Sequence, residues 1–252
     1  MQLTTETALV KLIDRIKNSY GKFENRPTWP HQKKMTHQLQ SEWSFYGFTS
    51  AEDDAQDSDY AAQIKLLARF STIEDFWRIY SHIIRPSVLP AKSAIHLFRG
   101  KSRAMREDPE HINGGSFLIR ISKGLAPYYW EQLILALIGE RFSPDVIGVI
   151  ISSRAKFFNL HLWHQTATDA DLRLKICKDF CDFLHLPKGI RIDYTAHNTV
   201  IHIADNGKQT IHYILQDEGP VDKILPTKNQ APSENQNKEE ETKNEEPTGQ
   251  EK

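Results

Sequence analysis

The sequence predicts an α+β fold in which an antiparallel sheet of about eight strands is covered on one face by three helices. Runs rich in β-branched and aromatic residues alternate along the chain with segments of helical periodicity. Several strand-like runs are joined by links that carry turn residues, such as Asn113-Gly114-Gly115 and Asn206-Gly207, which favours hairpins. A sheet covered on one face leaves the other face free for a ligand.

The strand-like runs are short and spread along the body of the chain. They read EWSFYGF, AAQIKLLARF, AIHLFRG, SFLIRIS, DVIGVIISSR, FFNLHLW, IRIDYTA, TVIHIA and QTIHYIL. Their length and their content of Val, Ile, Phe, Tyr and Trp are typical of strands.

Two of the helices have start and stop signals. In STIEDFWRIYSHI, Ser71 and Glu74 form a capping box, which predicts a helix that starts at Thr72. In PYYWEQLILALIGE, Pro127 opens the helix and Gly139 lies near its end.

The third predicted helix, in TDADLRLKICKDFCDFLHL, starts behind Thr168 or Asp169 and stops before Pro187. Cys177 and Cys181, the two cysteines of the chain, lie one turn apart on an apolar face of this helix. We interpret them as buried free thiols, which favours a reducing compartment.

The chain divides into a body with an extension at each end. Residues 1–36 form an N-terminal extension with an amphipathic helix, whose apolar positions are Leu9, Leu12, Ile13 and Ile16. Residues 37–216 form the folded domain. Residues 217–252 form a polar tail that we expect to be disordered, because it holds too little apolar surface to fold.

Charge and hydropathy narrow the class of protein. The 32 Lys and Arg residues are balanced by 33 Asp and Glu residues, so there is no general basic excess of the kind that marks a non-specific nucleic-acid binder. No apolar run approaches the roughly 20 residues needed to span a bilayer. We expect a soluble cytoplasmic protein.

No enzyme signature is present: there is no phosphate loop, no Gly-x-Ser-x-Gly motif, no His-Glu-x-x-His and no Cys-x-x-Cys. We therefore expect neither catalysis nor a cofactor. Four histidines fall in separate strand-like runs without metal-ligand spacing and are interpreted as ordinary strand or surface residues: His161, His197, His202 and His212.

The stretch AMREDPEHINGG carries an acidic pair, Glu107 and Asp108, in a loop between two predicted strands. Its composition is that of a solvated turn-rich loop. Three further residues change that interpretation. They are Arg154 and Lys156 after the strand DVIGVIIS, and Trp163 at the end of the next strand.

From about His37 to His197 the chain resembles the cap-binding translation initiation factor 4E family. The matching runs are HQLQSEWSFY, ARFSTIEDFWRIYSHI, MREDPEHINGG, YYWEQLILALIGE, SSRAK, LHLW and HLPKGIRIDY. Tyr60 and Glu131 stand where common family members more often have Trp and Leu. In this respect the chain is most similar to the 4E-homologous (class 2, repressor) branch of the family. The resemblance implies a curved sheet with its helices on the convex face.

The resemblance also implies a ligand, the 7-methylguanosine cap of messenger RNA, held between two aromatic rings that attract the charged base. It assigns the cap site to Tyr60, Arg106, Glu107, Arg154, Lys156, Trp163 and His197. Glu107 would accept both donors of the guanine edge. Arg154 and Lys156 would contact the phosphates, and Trp163 the methylated side of the base.

Arg106 is a departure from the family, which has Trp at this position. A guanidinium stacked on a positively charged base repels it by about 1 kcal/mol at 4 Å in water, and the loss of an aromatic stack costs about 1–3 kcal/mol more. The sequence leaves open whether Arg106 turns to a phosphate while a nearby aromatic, such as Trp43 or Phe45, supplies the wall.

A second site is implied on a helix. Family members bind partners that carry a Tyr-x-x-x-x-Leu-hydrophobic helix, either a repressor scaffold or an initiation scaffold. The resemblance assigns this site to His37, Gln38, Ile73, Trp77, Glu131 and Leu135. An aromatic at helical spacing is more often a core residue, but Phe76 and Ile79 can fill the core and leave Trp77 exposed.

Three functions remain open. The first is cap and partner binding that regulates, and most simply represses, translation initiation. The second is a diverged relative with weak or lost cap binding that acts through its partner surface. The third is a metal-dependent nucleotide hydrolase using Glu107 and Asp108, although such enzymes cluster more carboxylates than this pair.

Overall fold

The computed structural model describes residues 36–49, 60–198, 210–217 and 219–222. Four predictions lie outside these residues. They are the N-terminal amphipathic helix, the strand TVIHIA, the Asn206-Gly207 turn and the disordered tail beyond residue 222.

In the described residues a sheet of nine antiparallel strands forms the frame, in the order β2-β1-β3-β5-β6-β4-β7-β8-β9. The strands are β1 Gln38–Thr49, β2 Ile64–Thr72, β3 Ser93–Arg99, β4 Gly115–Ile121, β5 Val146–Ser153, β6 Phe158–His164, β7 Arg191–Ala196, β8 Thr210–Gln216 and β9 Gly219–Asp222. The expected α+β class and curved antiparallel sheet are confirmed.

The helices of the described residues are α1 Tyr60–Gln63, α2 Ile73–Tyr80, α3 Ala126–Ile138 and α4 Ala170–Leu184, with a short 3-10 turn at Pro86–Val88. The three long ones are those predicted. In α2 the cap is Thr72, not Ser71: the Thr72 hydroxyl accepts from the Asp75 amide at 3.1 Å. In α4 the Asp169 carboxylate accepts from the Leu172 amide at 2.9 Å, as one of the two predicted caps.

The two faces of the sheet differ because side chains alternate along each strand. On β3, Ile95 and Leu97 pack into the main core with the helices, whereas Ala94, His96 and Phe98 point to the other face. The same alternation holds on β5 and β6. The main core therefore lies under α2, α3 and α4, and the opposite face is left for the candidate site.

Two sequence predictions are corrected here. Asn113-Gly114-Gly115 does not close a hairpin, since β3 pairs with β1 and β5, whereas β4 pairs with β6 and β7. The sheet also extends past the boundary at residue 216, because Gly219–Asp222 pairs with β8 as a ninth strand.

The glycines at the start of β4 are explained by close approach. A Cβ on Gly114 would lie 2.1 Å from the His164 carbonyl oxygen, and a Cβ on Gly115 would lie 2.1 Å from the Tyr194 hydroxyl. That hydroxyl hydrogen-bonds the His164 ring at 2.9 Å, and the other His164 nitrogen donates to Asp145 at 2.9 Å. The glycines let β4 approach this buried network.

Candidate ligand cavity and partner surface

A cavity of about 570 Å³ opens on the face of the sheet opposite the main core. Its walls come from β1, β3, β5, β6, the loop between β3 and β4, and the turn between β5 and β6. They consist of Phe48, Lys92, Ala94, His96, Ala104, Arg106, Glu107, Ile150, Ser152, Arg154, His161 and Trp163.

Four of the seven residues predicted for the cap site line this cavity: Arg106, Glu107, Arg154 and Trp163. Lys156 is exposed in the turn that also carries Arg154, but it is not part of the wall. The side chain of Tyr60, at the start of α1, lies outside the described part of the chain.

The loop that carries Arg106 and Glu107 is fixed by its own hydrogen bonds. The His111 ring donates to the Met105 carbonyl at 2.8 Å, and the His111 amide donates to the Asp108 carbonyl at 2.8 Å. His111 is fully buried, so the loop is tied to the interior on the carboxyl side of Glu107. These bonds hold the exposed side chains of Arg106 and Glu107 at the wall of the cavity.

Trp163 is held from behind by aromatic rings. Its ring centroid lies 5.5 Å from that of Phe98, 5.7 Å from that of His111 and 4.1 Å from that of His197. Trp163 is almost fully buried and shows the cavity only a small part of its surface. The ring is therefore pre-positioned by contacts that do not depend on a ligand.

His197 packs behind the cavity and does not form part of its wall. Its Nδ1–H donates to the His111 carbonyl at 2.9 Å. Burial lowers the pKa of His197 to about 3, so the ring is neutral at physiological pH. In the structure His197 supports Trp163 and the acidic loop.

The charges of the cavity favour an anion that also presents hydrogen-bond donors. Lys92, Arg106 and Arg154 face one carboxylate, Glu107. The guanidinium groups suit phosphate oxygens, whereas the carboxylate can only accept hydrogen bonds. A nucleotide with a donor-bearing base edge matches both.

One aromatic ring at the cavity wall belongs to a residue that sequence reasoning missed. Trp43 and Phe45 are fully buried in the core under the helices, so neither can compensate for the missing Trp at Arg106. Phe48 lines the cavity instead, and its ring stacks on His96 with centroids 6.3 Å apart and an interplanar angle of 17°. The alternation of side chains along the strand EWSFYGF could have identified Phe48, since it places Phe48 on the other face of the sheet from Trp43 and Phe45.

The predicted partner residues lie on the helical side. Trp77 is 46% exposed and Ile73 43% exposed, whereas Phe76 and Ile79 are buried, so the expected exposure of Trp77 is confirmed. The Trp77 ring rests edge-on against Phe76, with centroids 4.9 Å apart. This side of α2 presents an apolar surface that packing within the described chain does not cover.

Residues at the two ends of α2 interact with neighbouring segments of the chain. His37 donates to Glu74 from its ring at 2.6 Å and from its amide at 3.0 Å, and these bonds lower the pKa of Glu74 to about 2. At the other end burial, followed by the Glu131 carboxylate of α3, raises the pKa of Tyr80.

Gln38 and Leu135 complete the predicted set. Gln38 is exposed and pairs with Thr72 just before α2, and Leu135 is half-buried one turn after Glu131. The start of the predicted site is thus linked to α2 through the pairing of Gln38 with Thr72.

Comparisons with known proteins agree with this arrangement. Residues 38–211 match the family model for eukaryotic initiation factor 4E, and the chain belongs to that family. It is 33% identical over 153 residues to translation initiation factor NCBP of Triticum aestivum, covering 60% of this chain and 66% of the wheat protein. It is 28% identical over 210 residues to translation initiation factor 4E-4 of Caenorhabditis elegans, covering 82% and 97% of the two chains.

A solved complex of C. elegans eIF4E-3 with the 4E-binding protein Mextli and a cap analogue is similar in structure. Its TM-score is 0.61 at 28% identity, and the match covers 65% of this chain and 94% of that one.

The described residues contain no group of three or more His, Cys, Asp or Glu side chains that could hold a metal ion. Within the same residues, no helix has the length and apolar character needed to cross a bilayer.

Proposed function

We propose that this protein binds the 7-methylguanosine cap of messenger RNA in the cavity and a helical partner protein on the Trp77 surface. Through these contacts it regulates translation initiation in the cytoplasm, and it does so by repression. The observation that carries the proposal is that Glu107 and Arg154, far apart in sequence, line one cavity with Trp163. The structural similarity to the complex of C. elegans eIF4E-3 with a cap analogue and a 4E-binding protein supports both the proposed cap binding and the proposed partner binding.

Each wall residue has a physical role in this proposal. Glu107 accepts the guanine N1–H and N2–H together, which no other base offers in the same geometry. Arg154, with Lys156 beside it in the same turn, binds the phosphates through charge-assisted hydrogen bonds. Trp163 and Phe48 supply apolar and π surface for the base. Tyr60 and His197 complete the set, with His197 acting through Trp163.

The repressor role rests on departures at the partner surface. By the family resemblance, Gln38 and Glu131 stand where common initiation factors have Pro and Leu, and the Glu131 carboxylate is close enough to Tyr80 to raise its pKa. A carboxylate in this position favours partner helices with a different charge pattern from those that initiation factors bind. A pull-down with peptides from an initiation scaffold and from a repressor scaffold tests this, and preference for the initiation peptide contradicts it.

A second candidate function is a diverged family member that acts through its partner surface with weakened cap binding. The observation in its favour is Arg106, a cation on the cavity wall where a second aromatic is expected. Both candidates are binding modules without catalysis. They differ in one quantity, the affinity for the cap.

Retention on a 7-methylguanosine resin separates them. We expect the natural protein to be retained and to be released by free cap analogue. Glu107→Ala should abolish retention, because two guanine donors are left unpaired at a cost of about 1–3 kcal/mol each. Glu42→Ala, an exposed glutamate on β1, is the matched control and should be retained. Equal retention of Glu107→Ala and the natural protein contradicts the assignment.

A further inference from the structure

His161 lies between the cationic groups of the cavity. It is half-buried on β6, where it pairs with Ile150 of β5, and Ile150 in turn pairs with His96 of β3. The cavity wall contains both histidines together with Arg106 and Arg154. His161 therefore faces the region that the proposed function assigns to the phosphates.

We propose that His161 is a further cationic contact for the phosphate bridge of a bound capped nucleotide, and that it takes up a proton as the ligand binds. The inference rests on the proposed function, since it names the phosphates of the same ligand. It adds a residue that neither the family resemblance nor the sequence pattern assigns to the site.

The surroundings of His161 keep its ring neutral. Burial, followed by the positive charges of Arg106 and Arg154, lowers the pKa of His161 to about 4. A phosphate bridge seated on the two guanidinium groups reverses this balance, because it neutralises the cations and adds negative charge beside the ring. A protonated imidazole next to a phosphate oxygen then forms a charge-assisted hydrogen bond.

The other charged groups around His161 do not replace it in this role. Burial lowers the pKa of His96 to about 3, and both of its ring nitrogens are shielded from solvent, so it is poorly placed to meet a ligand oxygen. Two strands away on the same face, Asp193 is held by Arg120, Arg191 and His212. The remaining groups on the wall are Lys92 and Glu107, a fixed cation and the guanine-reading carboxylate.

The test is calorimetric titration of the full chain with the capped dinucleotide m7GpppA at about pH 6, in two buffers of different ionisation enthalpy. The phosphates of this dinucleotide are all bridging and lack the terminal ionisation near pH 6 that a nucleotide triphosphate has, so they contribute no proton uptake. The N1–H of the methylated base ionises closer to neutral pH, and the comparison is therefore kept below about pH 6.5. We expect roughly half a proton or more to be taken up per ligand, and affinity to rise several-fold from about pH 6.5 to about pH 5.5.

Three variants sharpen the test. His161→Ala should lose the proton uptake and the rise in affinity. His161→Lys, a fixed cation, should bind at the upper end of this pH range about as tightly as the natural protein does at the lower end, without uptake. His185→Asn is the control: His185 is an exposed left-handed cap of α4, a conformation that Asn tolerates, and uptake should be unchanged.

The outcomes separate this proposal from the proposed function. Binding of m7GpppA without proton uptake, or with uptake that persists in His161→Ala, overturns the role of His161 and leaves cap binding intact. Binding of unmethylated GpppA with the same uptake supports the phosphate contact while contradicting recognition of the methyl group. If neither dinucleotide binds at any pH in this range, both proposals are overturned.

Discussion

At the wall of the cavity, Arg106 occupies the position where the family resemblance implies a second aromatic ring. It is exposed and shares the wall with Phe48, Arg154 and Glu107. A methylated guanine carries a positive charge that a π face attracts and a guanidinium repels. The residue that most affects selectivity for the methyl group is therefore Arg106.

Arg106→Trp is expected to raise the affinity for m7GpppA by about 1–3 kcal/mol, with most of the gain confined to the methylated ligand. The physical reason is that an added indole stacks on the base and removes a like charge. Calorimetric titration of both proteins with m7GpppA and GpppA measures the effect. Arg103→Trp adds the same ring in the same loop but off the cavity wall, and should change little. Tight, methyl-selective binding by the natural protein would instead show that Phe48 already provides the wall.

Single residues also show where sequence reasoning reached its limit. The burial of Cys177 and Cys181 was predicted from helical periodicity, which is a local property, whereas the exposure of Trp77 was predicted from the family resemblance. Phe48 was missed even though strand alternation pointed to it. Trp43 and Phe45 were considered for a wall that their strand register makes impossible, because they face the opposite side of the sheet.

At the scale of elements, α2 brings together a core face and an exposed face. Phe76 and Ile79 fill the core, and the exposed side carries Ile73 and Trp77. The cavity is on the other side of the sheet. A change confined to the exposed side of α2 should therefore leave the cavity unchanged.

Trp77→Ala is expected to remove binding of a Tyr-x-x-x-x-Leu-hydrophobic peptide while leaving retention on cap resin unchanged. Because Trp77 is 46% exposed, its removal should cost well below the about 3–5 kcal/mol of a buried Trp. Peptide binding by fluorescence anisotropy and urea denaturation measure the two effects. Leu174→Ala removes an apolar side chain of similar exposure from α4, which carries no residue of the predicted partner site, and should keep peptide binding. An unfolded Trp77→Ala protein would assign Trp77 to the core instead.

The start of β4 depends on a contact that no local pattern encodes. Gly115→Ala is expected to destabilise the fold by about 1–3 kcal/mol, because the new Cβ meets the Tyr194 hydroxyl and disturbs its hydrogen bond to His164. Gly124→Ala is the matched control, since a Cβ there meets no atom within 4 Å. Urea denaturation of the two variants measures the difference. Equal stability of both variants would show that the buried network tolerates a shift.

Elements differed in how well the sequence predicted them. Caps and periodicity located α2, α3 and α4 to within a residue or two, because these signals lie within each helix. The turn Asn113-Gly114-Gly115 suggested a hairpin, but its glycines serve packing against His164 and Tyr194. Strand order depends on contacts between distant segments, which a turn motif does not specify.

At the scale of the whole molecule, the cavity depends on the folding of several separate segments. Its wall draws on four strands, a loop and a turn, and no local motif marks all of them. The family resemblance supplied Arg106, Glu107, Arg154 and Trp163 as a set. It did not supply His96 and His161, which are interpretable only once β3 and β6 lie on either side of β5.

The fold also buries histidines in neutral form, which makes its stability depend on pH. Burial lowers the pKa of both His96 and His197 to about 3, from an ordinary value of 6.5. Below about pH 6.5 the unfolded chain binds protons that the folded chain excludes. The contribution of the neutral rings is therefore fully present above that pH and is lost as pH falls towards about 3.

His161, whose pKa is lowered to about 4, adds to this effect. We expect the free energy of unfolding to fall by about 5–6 kcal/mol between about pH 7 and pH 5 from the three rings together. Urea denaturation at the two pH values measures the change. His96→Gln, which carries no titrating group, should show roughly two-thirds of it, whereas His185→Asn should show all of it because His185 is exposed. A denaturation midpoint that stays constant over this range would mean that His96 and His197 accept protons inside the folded protein, and the assignment of His197 as a neutral support for Trp163 would fail with it.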